Sequence, residues 1–288
     1  MEYDPDTNAF SGTYHVGLPQ VMWHITDVCA LTCPYCFSTK SGLGTEVDKL
    51  EPIVDRLKQL GVLKVDFGGG EPVSYSQFGE AVDLCEQRRM HLTVTTSGVI
   101  SPKSRGWLLT NHNRFARVIV SMDGTSLIHD RLRGRIGAFR EALALLVDLI
   151  GDGAKVRVNT VITSAVTREV MGGLQRELDS VGLSEWCLIQ PHPSNAKPTF
   201  EDFAIEDAKF RDLVASVRGT RREEMKVIER PRSAYVGYWT LHPGGQMRPQ
   251  TTGPEDGVGF HILEASYEQA MLEIGKVPVK VPTENGVK

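Results

Sequence analysis

The chain has 288 residues, 41% of them hydrophobic and 24% charged, with a formal net charge of -4. That length buries a large core as one enlarged domain or a domain with a small extension, and the mild acidity excludes a broad electrostatic footprint for nucleic acid or an anionic membrane. No apolar run approaches the roughly 20 residues of a membrane-spanning helix, the polar start Met1-Glu2-Tyr3-Asp4-Pro5-Asp6 is not a secretory signal, and five cysteines, three of them on one short loop, point to a reducing, cytoplasmic setting.

The first predicted strand, Val21–Ile25, runs into Cys29-Ala-Leu-Thr-Cys33-Pro-Tyr-Cys36-Phe37, three cysteines spaced C-x3-C-x2-C. Three thiolates on one loop can hold three irons of a [4Fe–4S] cube, and no fourth cysteine follows at the short spacing of an electron-transfer ferredoxin. One iron is then open to an exchangeable ligand. A zinc site would need a fourth Cys or His, and His24 is the only local choice. Next, Val47, Leu50, Val54, Leu57 and Leu60 form a helical stripe ended by Gly61, and strand Leu63–Phe67 leads into Gly68-Gly69-Gly70-Glu71-Pro72. Glycines there let backbone approach a ligand closely. Helix Gln77–Arg88 carries Cys85, strand Leu92–Thr96 ends in Thr95-Thr96-Ser97-Gly98, and strand Arg117–Ser121 opens Ser121-Met122-Asp123-Gly124, followed by His129-Asp130-Arg131-Leu132-Arg133-Gly134.

Helix Ile136–Ile150, with Gly151 as its stop, precedes strand Lys155–Val161, where alternation puts Val156 and Val158 on one face and Arg157 and Asn159 on the other. The valines should pack under helices and the two polar residues should face the lumen, where they need partners. The sixth strand, Trp186–Gln190, begins with Cys187 nearby and ends in Gln190-Pro191-His192-Pro193, with Gln190 and His192 sharing a face. Beyond it, Tyr235 to Arg248 reads as two strand-like runs around a Pro-Gly-Gly turn, with Tyr238 and Trp239 expected to pack, and a helix follows near Ser266–Ile274. Six β–α units give a parallel sheet. The period does not say whether it is open or curved.

The cysteine spacing and the ordered turns after successive strands resemble the radical S-adenosylmethionine (SAM) superfamily. That resemblance implies an α/β fold, a (β/α)6 partial TIM barrel over residues 18–215 with a small C-terminal α+β extension over 216–288 that caps the open side without an auxiliary cluster. It implies a [4Fe–4S] cluster on Cys29, Cys33 and Cys36, SAM on the open iron, and an external electron donor such as flavodoxin or ferredoxin. It further assigns Gly69, Gly70, Glu71 and Asn159 to SAM, places Ser121, Asp123 and Arg133 close to SAM or substrate, with Arg131 a weaker choice, and leaves Ser97 in doubt where the family commonly has Asn. Arg157 and His192 are candidate catalytic residues facing substrate, helped by Arg248. The expected reaction is hydrogen abstraction from a small polar metabolite: nucleotide, nucleoside or sugar-like. The run Cys33-x-x-Cys36-Phe37-x-Thr39 shares C-x-x-C-F-x-T with the antiviral nucleotide dehydratase viperin, too short a match to assign that activity. Two alternatives stand beside it: a peptide-modifying enzyme with a separate leader-binding partner, and a noncatalytic iron–sulfur electron carrier or redox sensor.

Overall fold

A computed structural model describes residues 2–7, 9–11, 17–38, 40–192, 200–250 and 258–277, and the backbone of 282–283 and 286–287. Strands with apolar residues directed at helices alternate with amphipathic helices along most of it. In chain order they are β1 (Glu2–Asp4), β2 (Ala9–Ser11), β3 (Gln20–Thr26), α1 (Val47–Gln59), β4 (Lys64–Gly69), α2 (Phe78–Gln87), β5 (His91–Thr96), α3 (Pro102–Asn111), β6 (Arg117–Ser121), α4 (Ser126–Arg133), α5 (Ala138–Gly151), β7 (Val156–Val161), α6 (Arg168–Ser180) and β8 (Glu185–Ile189). There follow α7 (Phe200–Phe203), α8 (Asp207–Thr220), β9 (Lys226–Arg230), β10 (Trp239–Leu241), β11 (Gln246–Pro249), β12 (Phe260–His261) and α9 (Tyr267–Gly275). Among the described residues no helix is long and apolar enough to cross a membrane.

Helix α1 shows why these segments are helices: Leu50, Ile53, Val54 and Leu57 fall on one stripe and are all buried. Ends are set by side-chain caps, Ser101 accepting from the Ser104 amide at α3 and a reciprocal Ser266/Gln269 capping box at α9. Helix α5 runs through the expected stop at Gly151, and the left-handed turn comes two residues later at Gly153.

The sheet order is β12-β11-β10-β3-β4-β5-β6-β7-β8-β9, and the eight strands from β10 to β9 all run parallel. This is the partial TIM barrel, with the six expected strands at its centre. The segment after the core differs from its expected place as a cap. It contributes β9 to one edge and β10 to the other, joined through the 3-10 turn Arg232–Tyr235. The expected 215/216 boundary falls inside α8. An open barrel leaves unpaired N–H and C=O groups along both edge strands, and β9 and β10 satisfy them. Tyr238 and Trp239 are buried, as packing requires.

The N-terminal hairpin β1–β2 closes the opposite end of the barrel. Tyr3 packs on Phe10 and on His91 at the start of β5, and Arg117 at the start of β6 donates to the carbonyls of Pro5, at 3.1 Å, and Asp6.

Candidate functional site

The cysteine loop leaves β3 at the C-terminal edge of the parallel strands, where such sheets bind ligands. Asp27, two residues before Cys29, is buried and accepts from the Ser38 hydroxyl at 2.7 Å and the Ser41 hydroxyl at 2.6 Å. One carboxylate thus ties the strand leading into the cysteines to the chain leaving them. Within the loop the Cys36 amide donates to the Cys33 carbonyl at 3.2 Å, and Lys40 Nζ reaches the Leu31 carbonyl at 2.9 Å. Leu31, Cys33, Val99 and Ala138 form a buried apolar collar around it.

The glycine turn after β4 is locked to this loop backbone to backbone. The Gly70 amide donates to the Thr26 carbonyl at 2.6 Å and the Glu71 amide to the Val28 carbonyl at 2.8 Å. Gly69 sits at φ +107°, and a Cβ on Gly70 would overlap the Val28 carbonyl. No side chain fits at either position. Glu71, expected to meet SAM, turns elsewhere: its buried carboxylate accepts from Thr96 Oγ1 at 2.8 Å, the Ser97 amide at 2.8 Å and Ser97 Oγ at 2.6 Å. Burial pushes its pKa up against these hydrogen bonds. Glu71 and Ser97 therefore join the turns after β4 and β5, and Ser97 contributes a structural clamp where the family pattern has Asn.

Asp123 is also fully buried and lines neither of the two cavities of the site. It accepts from the Val161 amide at 2.8 Å and from the Tyr35 hydroxyl, and pairs with Arg133 Nη2 at 2.5 Å. Burial alone would lower the Arg133 pKa, but the Asp123 charge together with Tyr35 and Cys33 outweighs it and raises it well above the ordinary value. The carbonyl of Arg133 accepts from the Thr32 amide at 3.2 Å, which brings the end of α4 onto the cysteine loop. Arg131 is exposed and lines neither cavity of the site.

Two adjoining cavities fill this end of the barrel. The smaller, about 110 Å³, is lined by Cys29, Cys33, Cys36, Gly69 and Gly70. The larger, about 240 Å³, opens beside it and is lined by His24, Phe37, Asn159, Gln190, His192 and Arg230. Ser121, Arg133, Cys33 and Cys36 belong to the walls of both. Asn159 and Ser121 are partners in the β6–β7 register, and the buried Asn159 Oδ1 has no hydrogen-bond partner. Burial pushes the pKa of the Cys29 and Cys33 thiols up.

The expected substrate residues separate. His192 lines the larger cavity, and burial, then the Arg232 charge, brings its pKa down to about 4. Gln190 also reaches it, while its amide Nε2 donates to Asp207 at 2.6 Å. Arg157 shares the lumen face with Asn159 as the alternation requires, but lies deeper, 3% exposed, and does not line the cavity. Two residues along a strand move a side chain toward the barrel floor by about 6–7 Å. Arg248 is exposed on β11 and lines neither cavity, because that strand extends the sheet edge instead of covering the barrel. Thr39 and Pro193 lie outside the described residues.

Two site residues escaped the sequence reading. Asp27, directly before the cysteine run, carried a signal as an acidic residue at the end of an apolar strand. Arg230 carried none, since β9 lay outside the expected six strands. His24 stands in the cavity wall with its ring 5.9 Å from Phe37 and 5.3 Å from His242, and burial, then His242, lowers its pKa to about 3.

The donor set fits a cluster. Three thiols from one loop surround one cavity, and among the described residues no three His, Cys, Asp or Glu side chains converge on a single ion. A cube that takes each cysteine on a separate iron does not need such convergence. Cys29, Cys33 and Cys36 would hold it, and the Gly69–Gly70 backbone and Ser121 line the same cavity.

Comparison with known proteins gives the same picture. Over 272 residues the chain is 26% identical to the antilisterial bacteriocin subtilosin biosynthesis protein AlbA of Bacillus subtilis, covering 90% of this chain and 60% of that protein. It is 29% identical over 147 residues to mycofactocin maturase MftC of Mycolicibacterium smegmatis, covering 49% of this chain and 37% of that one. It spans 91% of an S-adenosylmethionine-dependent nucleotide dehydratase of Flammeovirga pacifica, at 21% identity and 90% of its own length. Against these first two relatives it covers less than two thirds of their length. The fold is shared with Streptococcus suis SuiB in a crystal structure bound to S-adenosylmethionine, at TM-score 0.71 and 16% identity over 88% of this chain and 65% of that one. The family model "Radical SAM superfamily" matches residues 23–178, more than half of the chain, and so this protein belongs to the radical SAM superfamily, whose cofactors are a [4Fe–4S] cluster and SAM.

Proposed function

We propose that this protein removes a hydrogen atom from a small polar metabolite, nucleotide, nucleoside or sugar-like, held in the larger cavity. The observation that carries the reading is the shared wall: Cys33, Cys36, Ser121 and Arg133 line both the cysteine cavity and the larger one, so a ligand in the first reaches directly into the second. When bound, the cluster and SAM supply an electron and a carbon-centred radical able to take a hydrogen atom from substrate. The chain's own residues orient and exclude. Asp27 holds the two ends of the cysteine loop together, the glycine turn fixes that loop against β4, and Phe37, Tyr35 and Phe67 keep the cavity wall apolar. His24 and His192 present uncharged imidazoles near neutral pH, suited to hydrogen bonding a hydroxyl-rich ligand. A volume of about 240 Å³ falls below the roughly 300–1,000 Å³ of ligand pockets for drug-sized molecules, which favours a small molecule. The nucleotide dehydratase matched over nearly its whole length supports the same class.

The electron comes from an external donor such as flavodoxin or ferredoxin, in the reducing setting that a thiolate-held cluster requires. A second reading, a peptide-modifying enzyme working with a separate leader-binding partner, is favoured by the names of AlbA and MftC, whose identity in the shared part is higher.

Anaerobically reconstituted protein, given SAM and dithionite, should form 5′-deoxyadenosine, faster with pools of nucleotides, nucleosides or sugar nucleotides, and deuterium should pass from labelled substrate into that product. If reduced, fully loaded protein leaves SAM intact, the enzyme reading is wrong. If only a ribosomal peptide, alone or with a leader-binding partner, transfers deuterium, the metabolite reading gives way to the second.

A further inference from the structure

On the wall of the larger cavity, which includes Asp66 and Arg230, and beneath it, the barrel holds a group of charged side chains whose balance is not zero. Lys64 Nζ pairs with Asp66 at 2.7 Å, and Arg117 forms a two-point pair with Glu185 at 2.9 and 3.1 Å. Two guanidinium groups remain. Arg157 on β7 and Arg230 at the end of β9 make no ion pair among the described residues, and the buried Nε of Arg157 has no hydrogen-bond partner. Arg230 hydrogen-bonds the Tyr235 hydroxyl; against burial, the neighbouring Cys187, Tyr238 and Tyr235 side chains and, least, Asp66, already engaged by Lys64, raise its pKa. Burial, then repulsion from Arg230, depresses the pKa of Arg157. Leaving two such charges in a lumen without a counter-charge is costly unless something supplies it.

Arg230 lines the larger cavity and not the cysteine cavity, whereas Arg157 lies below, out of reach. The other cationic group on the cavity wall, Arg133, is neutralised by Asp123. From this placement we infer that Arg230 is the seat for an anionic group of the substrate, a phosphate or a carboxylate, with Arg157 adding positive field from beneath. This rests on the metabolite reading of the same cavity. It also orients the ligand: the anionic end sits on Arg230 at β9, and the C–H to be attacked lies toward the wall shared with the cysteines. A planar guanidinium suits either oxyanion because it can give two parallel hydrogen bonds.

Isothermal titration of reconstituted, SAM-loaded protein with inorganic pyrophosphate and, separately, with succinate tests the assignment and tells phosphate from carboxylate. Saturable binding of one anion is expected, weakened by about 10-fold or more in Arg230→Gln, as loss of a charged hydrogen-bond donor predicts, and weakened less in Arg230→Lys, which keeps the charge but not the two-point fork. Cluster absorbance and SAM binding report whether each variant is folded. Binding of neither anion to the wild type, or binding unaffected by Arg230→Gln, overturns the proposal. Should Arg230→Gln fail to load its cluster, the wild type decides: pyrophosphate should slow the 5′-deoxyadenosine formation stimulated by a nucleotide pool, and no slowing overturns the anion seat. Uncharged nucleosides and sugars that stimulate as well as nucleotides also overturn it while leaving the metabolite reading intact. Stimulation by peptide alone, with pyrophosphate still bound through Arg230, overturns the metabolite reading and leaves the seat standing.

Discussion

The two ends of the barrel handle buried charge differently. At the cysteine end Asp27 is held by Ser38 and Ser41, Glu71 by Thr96 and Ser97, and Asp123 by Tyr35, the Val161 amide and Arg133. Asp27 closes the cysteine loop on itself and Glu71 and Asp123 are satisfied by groups from other turns, so the turns that surround the cysteines are bound to one another before any ligand arrives. Toward the other end Lys64–Asp66 and Arg117–Glu185 are paired, yet Arg157 in the lumen and Arg230 above it on the wall of the larger cavity make no ion pair among the described residues. The contrast separates a preorganised cofactor end from a region whose electrostatics are completed by what binds there.

The largest expected effect lies at the cysteine end. Cys29→Ala, Cys33→Ala or Cys36→Ala should abolish the single oxygen-sensitive [4Fe–4S] signal in electron paramagnetic resonance and all 5′-deoxyadenosine formation, whereas Cys85→Ala and Cys187→Ala keep both. Loss of the cluster in Cys187→Ala, a residue of the lumen near Arg157 and Arg230, would erase the distinction between the two ends.

Opposite signs are expected when one charge is removed at each end. Asp123→Asn strands the Arg133 guanidinium in a buried site and should lower unfolding stability by about 3 kcal/mol in urea titrations, whereas Arg157→Met removes a charge that has no partner and should leave the unligated protein unchanged or more stable. Equal losses for both would mean the floor is balanced in a way the contacts do not show. Gly70→Ala, which sets a Cβ against the Val28 backbone, should cost about 2–3 kcal/mol, and a silent result would show that the two turns can separate.

A smaller effect concerns pH. His24 is held at about 3 in the folded protein, against 6.5 ordinarily, so the unfolded chain binds the proton first and stability should fall as pH drops from about 6.5 toward 3. Urea midpoints at pH 7 and pH 5 should differ less in His24→Gln than in the wild type; an unchanged difference would place the sensitivity elsewhere. The smallest effect is at Arg248: exposed on β11 and outside both cavities, its replacement by Ala should move stability by no more than about 0.5 kcal/mol and leave pyrophosphate titrations as they are.

Much of this was written in local patterns. The C-x3-C-x2-C spacing, the six β-rich runs and the turn after each depend on residues close in sequence, and so does the parity that sends Val156 and Val158 to the helices and Arg157 and Asn159 to the lumen. Depth along the strand is another matter. Parity names the face of a residue but not how far down the barrel it sits, which is why Arg157 shares a face with Asn159 and still misses the cavity. Likewise the Gly-Gly-Glu turn is visible as a turn, but that Glu71 turns to Thr96 and Ser97 depends on the packing of β4 beside β5. Edge pairing was decided at still longer range: whether Trp239–Leu241 caps the barrel or extends it depends on the unpaired backbone of β3, more than 200 residues earlier, and the same closure brings β9 and Arg230 to the cavity. The sequence by itself determined the cysteine triad, the parallel α/β core and the face each strand residue takes, because those follow from spacing and period; the tertiary structure alone decided which charges meet a partner and which are left facing the cavity, because a counter-charge is supplied by whatever strand folds alongside.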